Sequence, residues 1–205
     1  MAYAQNVFVN CPFDPDYAPV FDAVVFAVHD AGFVARCALE EDDSARVRVE
    51  KIYDIIGACR LGVHDVSRTE LDPALGLPRF NMPLELGVFL GARRYGRDRQ
   101  RDKRALILDR ERFRYQAYLS DLSGQDIRAH GDDPVRAIKA VRDWLSQFAP
   151  EDVMLPGARK MAARYGLFLS DLPTILADVG IERDEVTYNE YTTFVVAWIK
   201  ANPWG

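Results

Sequence analysis

The sequence predicts an α/β protein: a doubly wound, five-stranded parallel sheet in the order 2-1-3-4-5, followed by a helical C-terminal appendage. Three observations carry this expectation. Short β-rich runs alternate with helix-period stretches from Asn6 to Phe148, at the pitch of a parallel sheet with helices on both faces. After Pro150 the strand signal disappears and only helical periodicity remains. The 205 residues are 49% hydrophobic and 28% charged, the profile of a globular chain able to bury a core.

Each element follows in order. Asn6 to Asn10 (NVFVN) reads as the first strand, and Pro12 cannot extend it. Phe21 to Ala31 has helical spacing, with Gly32 placed to end it. Phe33 to Cys37 is a second strand. Val47 to Cys59 is a helix in which Val47, Ile52, Ile55 and Ile56 recur at helical intervals. Leu61 to Val66 is the third strand. A loop from Ser67 to Phe80 holds Pro73, Gly76 and Pro78, and a helix then runs from Asn81 to Tyr95. Ala105 to Asp109 is a fourth, buried strand, Ile127 to His130 a fifth, and Asp133 to Phe148 an amphipathic helix. This is the flavodoxin-like arrangement. The division falls at Pro150, with an α/β domain over residues 1–149 and an appendage over 150–205. In the appendage one helix ends at Gly180, and Tyr191, Phe194, Val195, Trp198 and Ile199 mark another. These helices pack on the sheet domain or on a second subunit, and a homo-oligomer is expected.

The net charge of -5 argues against a dedicated nucleic-acid binder. No apolar run is long enough to span a membrane. The N-terminus lacks the basic and apolar regions of a signal peptide, so a cytoplasmic protein with three reduced thiols is expected. The three histidines do not sit at metal-ligand spacing, and no metal is expected. Neither G-x-G-x-x-G, nor a P-loop, nor a G-x-S-x-G elbow occurs.

In such a sheet, ligands bind outside the carboxyl ends of the strands, near the switch in strand order. That rule selects Asn10 to Asp14, His64 to Ser67, and the start of the helix at Asn81. In that helix Glu85 interrupts an apolar run containing Met82, Leu86, Phe89 and Leu90. Burying a carboxylate costs several kcal/mol unless something compensates. Asn81 reads as the N-cap, Pro83 fits the first turn, and the helix N-terminus favours negative charge. Glu85 therefore either caps free N–H groups or points to solvent, or else serves a site.

The order of motifs bears on that choice. A strand ends in Asp65-Val66-Ser67, a loop follows, and Asn81-Met-Pro-Leu-Glu85-Leu-Gly87-Val-Phe-Leu-Gly91 opens a helix. The first strand ends in V-F-V-N-C-P-F. This order resembles the nucleoside 2-deoxyribosyltransferase-like superfamily and the related TIR-like nucleotide-binding proteins of bacteria, over about residues 6 to 148. The chain departs from the pattern at Val88, where the family often has a small residue. The partner-subunit residues that the transferases use cannot be mapped here, so cleavage is expected before transfer.

The resemblance implies that Glu85 acts at the anomeric carbon of a ribose, stabilising or attacking an oxocarbenium-like centre. Helix position and pocket polarity would keep it ionised. Asp65 is the implied second catalytic carboxylate, holding a ribose hydroxyl or protonating the leaving base, unless it only caps the loop that follows. Ser67 would contact a phosphate or simply cap the loop, and Asn81 would touch the sugar. Phe13 and Tyr17 either stack on a base or belong to the core, and Cys11 and Pro12 border the same rim. Arg46 or Arg48, after an acidic loop, either reaches a pyrophosphate or stays in solvent. NAD or another nucleotide would be a substrate and not a cofactor. The implied activity is N-glycosidic cleavage of NAD, in TIR-like relatives often a bacterial defence switched on by oligomerisation. A non-catalytic nucleotide sensor and a deoxyribosyltransferase are the alternatives. Arg93 to Arg104 carries seven basic residues and either binds nucleic acid electrostatically or is a solvated loop; with one aromatic, Tyr95, it offers no stacking platform.

Overall fold

A computed structural model describes residues 3–71 and 76–204. Pro73, read as part of the long loop, lies outside the described residues. The sheet has five parallel strands: β1 (Asn6–Asn10), β2 (Val34–Arg36), β3 (Leu61–Asp65), β4 (Arg104–Asp109) and β5 (Arg128–Ala129). Their order is β2-β1-β3-β4-β5, as the sequence predicts. The helices are α1 (Ala18–Asp30), α2 (Arg48–Ala58), α3 (Asn81–Tyr95), α4 (Pro134–Leu145), α5 (Ala158–Val179) and α6 (Tyr188–Ala201).

Side chains alternate along a strand, so each strand feeds two cores. Val7, Val9, Leu61, Val63, Leu106 and Leu108 face α1 and α4. Phe8 faces the other way, joining Ile52, Ile55 and Ile56 of α2 and Phe89 of α3. The connections from β1 and from β3 thus leave on opposite faces, and the topological switch lies between these two neighbouring strands. Gly62 lets α3 sit close: a Cβ there would lie 2.9 Å from the Phe89 ring.

Helix α1 is buried almost all round, because α5 and α6 cover its outer face. Phe26 meets the rings of Tyr165, Phe168 and Trp198 at 5.2, 5.4 and 6.0 Å. The C-terminal helices therefore pack on the sheet domain and share its main core. Tyr188 of α6 also reaches the outer edge of β2, donating to the Ala35 carbonyl at 2.8 Å.

Some helix boundaries differ from expectation. α1 starts at Ala18, three residues before Phe21. Pro19 fits its first turn, and Asp14 accepts from the Tyr17 N–H at 3.0 Å just ahead of it. α4 ends at Leu145, and Ser146 to Phe148 form a turn. Gly32 ends α1 with φ +82°, and Gly180 ends α5 with φ +70°, both in the left-handed region that glycine adopts at no steric cost.

Candidate functional site

Two polar groupings at the carboxyl rim hold the residues that the sequence singles out, on opposite faces of the sheet. The first surrounds Glu85. Asn10, the last residue of β1, donates from Nδ2 to the Met82 carbonyl at 2.9 Å. The same amide lies 3.1 Å from His64 Nδ1. Burial and the Lys103 charge hold His64 down to about 3, so the ring is neutral and Nδ1 can accept. β1 and β3 are thereby tied to the first turn of α3, which fixes where Glu85 points.

Glu85 is 8% exposed. It lines a cavity of about 180 Å³ between the first turns of α2 and α3. Arg48 and Asn81 are the other polar walls, and Val49, Ile52, Tyr53, Leu84 and Val88 are the apolar ones. Desolvation pushes the Glu85 carboxyl up to about 7, and the Arg48 charge offsets only part of this. The expectation of a fully ionised Glu85 is corrected accordingly: near neutral pH it is divided between acid and carboxylate. Asn81 also needs correction. It is the first helical residue, Phe80 occupies the N-cap position, and no side chain caps this helix. It lines the cavity instead.

The second grouping is sealed. His64 and Asp65 are adjacent in β3 and face opposite ways. His64 packs on Phe8 and Phe89. Asp65 points to the α1 side, 0% exposed. Its Oδ1 accepts from the Ser67 N–H at 2.8 Å and from the Ser67 hydroxyl. Its Oδ2 lies 2.8 Å from His130 Nε2, though off the line of a well-formed hydrogen bond. His130 Nδ1 accepts from the Asp132 N–H at 3.0 Å, which assigns the ring proton to Nε2, facing Asp65. Tyr17 sets its ring edge-on to His130 at 6.0 Å, and its buried hydroxyl has no well-formed partner. Cys11 and Pro12 are buried beside them. Burial first, and the Asp65 charge second, push the Cys11 thiol well above its ordinary value. Arg68 closes this crevice from above, pairing both its Nε and Nη2 with Asp14 at 3.3 and 3.0 Å.

The structure thus brings Glu85, Asn81 and Arg48 to one cavity and places Asp65, Ser67, Cys11, Pro12 and Tyr17 elsewhere, out of solvent. Phe13 is exposed and rests edge-on against Phe21 at 5.4 Å. Arg46 is paired with Glu41 and Asp54 at 2.8 and 2.5 Å, and Arg48, two residues on, faces the cavity in its place. Tyr53 and His130 escaped the sequence reading. Tyr53 follows Val49 by one helical turn, and His130 follows the last strand, so spacing and the rim rule could have found them.

Fold and geometry together define a doubly wound α/β protein with a partly desolvated carboxyl in a ring-sized cavity at its carboxyl rim. No protein-family model, curated protein or solved structure matches the chain. No helix among the described residues is long and apolar enough to cross a membrane.

Proposed function

We propose that this protein cleaves the N-glycosidic bond of a nucleotide, with NAD as the substrate its site suits best. The observation that supports this is Glu85, the one carboxyl among the described residues that line a largely apolar cavity, with Arg48 and Asn81 as its other polar walls. A volume of about 180 Å³ suits one ring-sized group; an apolar cavity of about 150 Å³ holds benzene. The remainder of a dinucleotide would lie outside it.

Among the described residues Glu85 is the only carboxyl that lines this cavity, which favours a leaving group that needs no proton. Nicotinamide bound to ribose is a cation, and when the bond from C1′ to nitrogen breaks, the electron pair neutralises the ring. Positive charge develops on the sugar, next to the Glu85 carboxylate. Water then adds at C1′ and releases a proton. A cationic substrate also favours the ionised form of Glu85 on binding. A neutral base would need a second group to protonate it, and Asp65 is sealed away. That geometry ranks deoxynucleosides, and base exchange between them, below NAD.

The burial of Asp65 also favours a second reading, a nucleotide sensor with no turnover. One experiment separates the two. NAD, NADP, ATP and deoxynucleosides are incubated with wild type and Glu85→Gln, and the products are separated by chromatography. Release of nicotinamide by wild type, reduced at least 100-fold in Glu85→Gln, is expected for the enzyme (about 3 kcal/mol of transition-state stabilisation). A nucleotide that raises the melting temperature and is never cleaved by either protein would establish the sensor. Our reading also takes the protein to be a homo-oligomer. A monomeric mass in light scattering at micromolar concentration would refute that part.

A further inference from the structure

A second cavity, of about 800 Å³, lies along the outer edge of β2 and the facing side of α6. It is away from the Glu85 cavity, and the two share no lining residue. Its volume is in the range of small-molecule sites. Val34 and Ala35 of β2 and Val196 and Ala197 of α6 give it apolar walls.

Its polar groups are unevenly matched. Arg36 and Glu40 neutralise each other through a two-bonded pair, with Nε donating to Oε2 at 2.7 Å. Arg99 and Lys200 also line the cavity, and neither makes an ion pair among the described residues. The Arg99 guanidinium lies over the Tyr3 ring at 4.7 Å, which holds it in place and leaves its charge uncancelled. Two cationic side chains without an ion-pair partner among the described residues therefore border the cavity.

Two buried polar atoms along the same wall also lack partners. Asn6 is 3% exposed, and its Nδ2 donates to the Ala58 carbonyl at 3.0 Å while its Oδ1 has no partner. His29 Nε2 is in the same condition, and burial lowers His29 to about 4, so its ring is neutral at physiological pH. A buried acceptor without a donor is costly unless something supplies one.

An added peptide strand does not fit this edge. β2 is only three residues long, and Tyr188 already occupies the Ala35 carbonyl. We propose that the cleft between β2 and α6 binds a small organic anion, a carboxylate or phosphate monoester on a flat apolar body that carries a hydrogen-bond donor. Arg99 and Lys200 hold the anionic group, the walls from β2 and α6 cover the body, and Asn6 Oδ1 takes the donor.

The test uses the full chain and three probes: 4-hydroxybenzoate, 4-hydroxyphenyl phosphate, and the uncharged 4-hydroxybenzyl alcohol. Each is titrated while the amide resonances of Ala35, Ala58 and Asn189 are followed. We expect one or both anions to saturate with Kd below about 1 mM, and the alcohol not to. Which anion binds tells carboxylate from phosphate. Arg99→Gln and Lys200→Gln, both at exposed positions, should together weaken binding at least tenfold. Glu85→Gln should bind as wild type does, which separates this site from the proposed glycosidase site. The proposal falls if neither anion saturates, if the alcohol binds as tightly, if the double variant binds unchanged, or if Glu85→Gln abolishes binding.

Discussion

A carboxyl group in an apolar cavity prefers to keep its proton, and for Glu85 this has a consequence for stability. Its value of about 7 stands above the ordinary 4.5. Between those pH values the folded chain binds more protons than the unfolded chain, so stability falls as pH rises. The contribution is fully present below about pH 4.5 and is lost as pH passes 7. The shift, 7 − 4.5, amounts to roughly 3 kcal/mol at most. Glu85→Gln keeps the shape and removes the titration. In urea unfolding it should exceed wild type by roughly 1–3 kcal/mol at pH 8 and match it at pH 4.5. The same difference at both pH values would mean that Glu85 titrates normally. Lys103, lowered to about 8 by burial, acts in the opposite sense at higher pH and cancels in the comparison. The apolar run around Glu85 made this residue readable from sequence. Its protonation is not readable from sequence, because the facing wall of Val49, Ile52 and Tyr53 comes from the pairing of two helices. The position of Asp65 was partly readable. Leu61 and Val63 share its strand parity and face α1, so alternation alone separates it from Glu85.

Elements with a sharp local signal matched their expected limits, and elements without one did not. β1 ends before Cys11-Pro12, and α3 spans Asn81–Tyr95, each as the sequence predicts. Apolar spacing alone places the start of α1 at Phe21, whereas Pro19 and Asp14 set it at Ala18. The start of α6 carries a signal that spacing alone overlooks. Thr187-Tyr-Asn-Glu190 forms a capping box: Thr187 Oγ1 accepts from the Glu190 N–H at 3.3 Å, and Glu190 Oε2 accepts from the Thr187 N–H at 2.8 Å. Thr187→Ala should therefore cost about 1 kcal/mol in urea unfolding. Thr193→Ala, one turn in and exposed, loses only a bond to the Asn189 carbonyl and should stay within about 0.5 kcal/mol. Equal costs at the two sites would count against the capping box as a source of stability. The box matters beyond α6 itself, because the next residue, Tyr188, closes the edge of β2 and lines the second cleft.

At the scale of the whole molecule, the alternation of strands and helices made the parallel sheet readable, whereas the place of the last two helices was not. Residues 150–205 read equally well as a cover for this chain or for a second subunit, since an apolar stripe does not name its partner. The continuous apolar character of α1 was the available clue: a helix apolar all round needs cover on its outer side as well as against the sheet. α5 and α6 supply it, and one core cluster runs from Val9 through Phe26 to Trp198. An appendage that shares a core cannot unfold by itself without exposing α1. Unfolding should therefore be a single transition. Trp144 of α4, Trp198 of α6 and the partly buried Trp204 report on the two ends of this core by fluorescence, while far-UV circular dichroism reports on all helices. The two signals should coincide in urea. Phe26→Ala, which removes the ring between the layers, should lower stability by about 3–5 kcal/mol and move both signals together. If the fluorescence change came first and the variant shifted only that phase, α5 and α6 would be a separately folding cover, and the sheet domain would tolerate their loss.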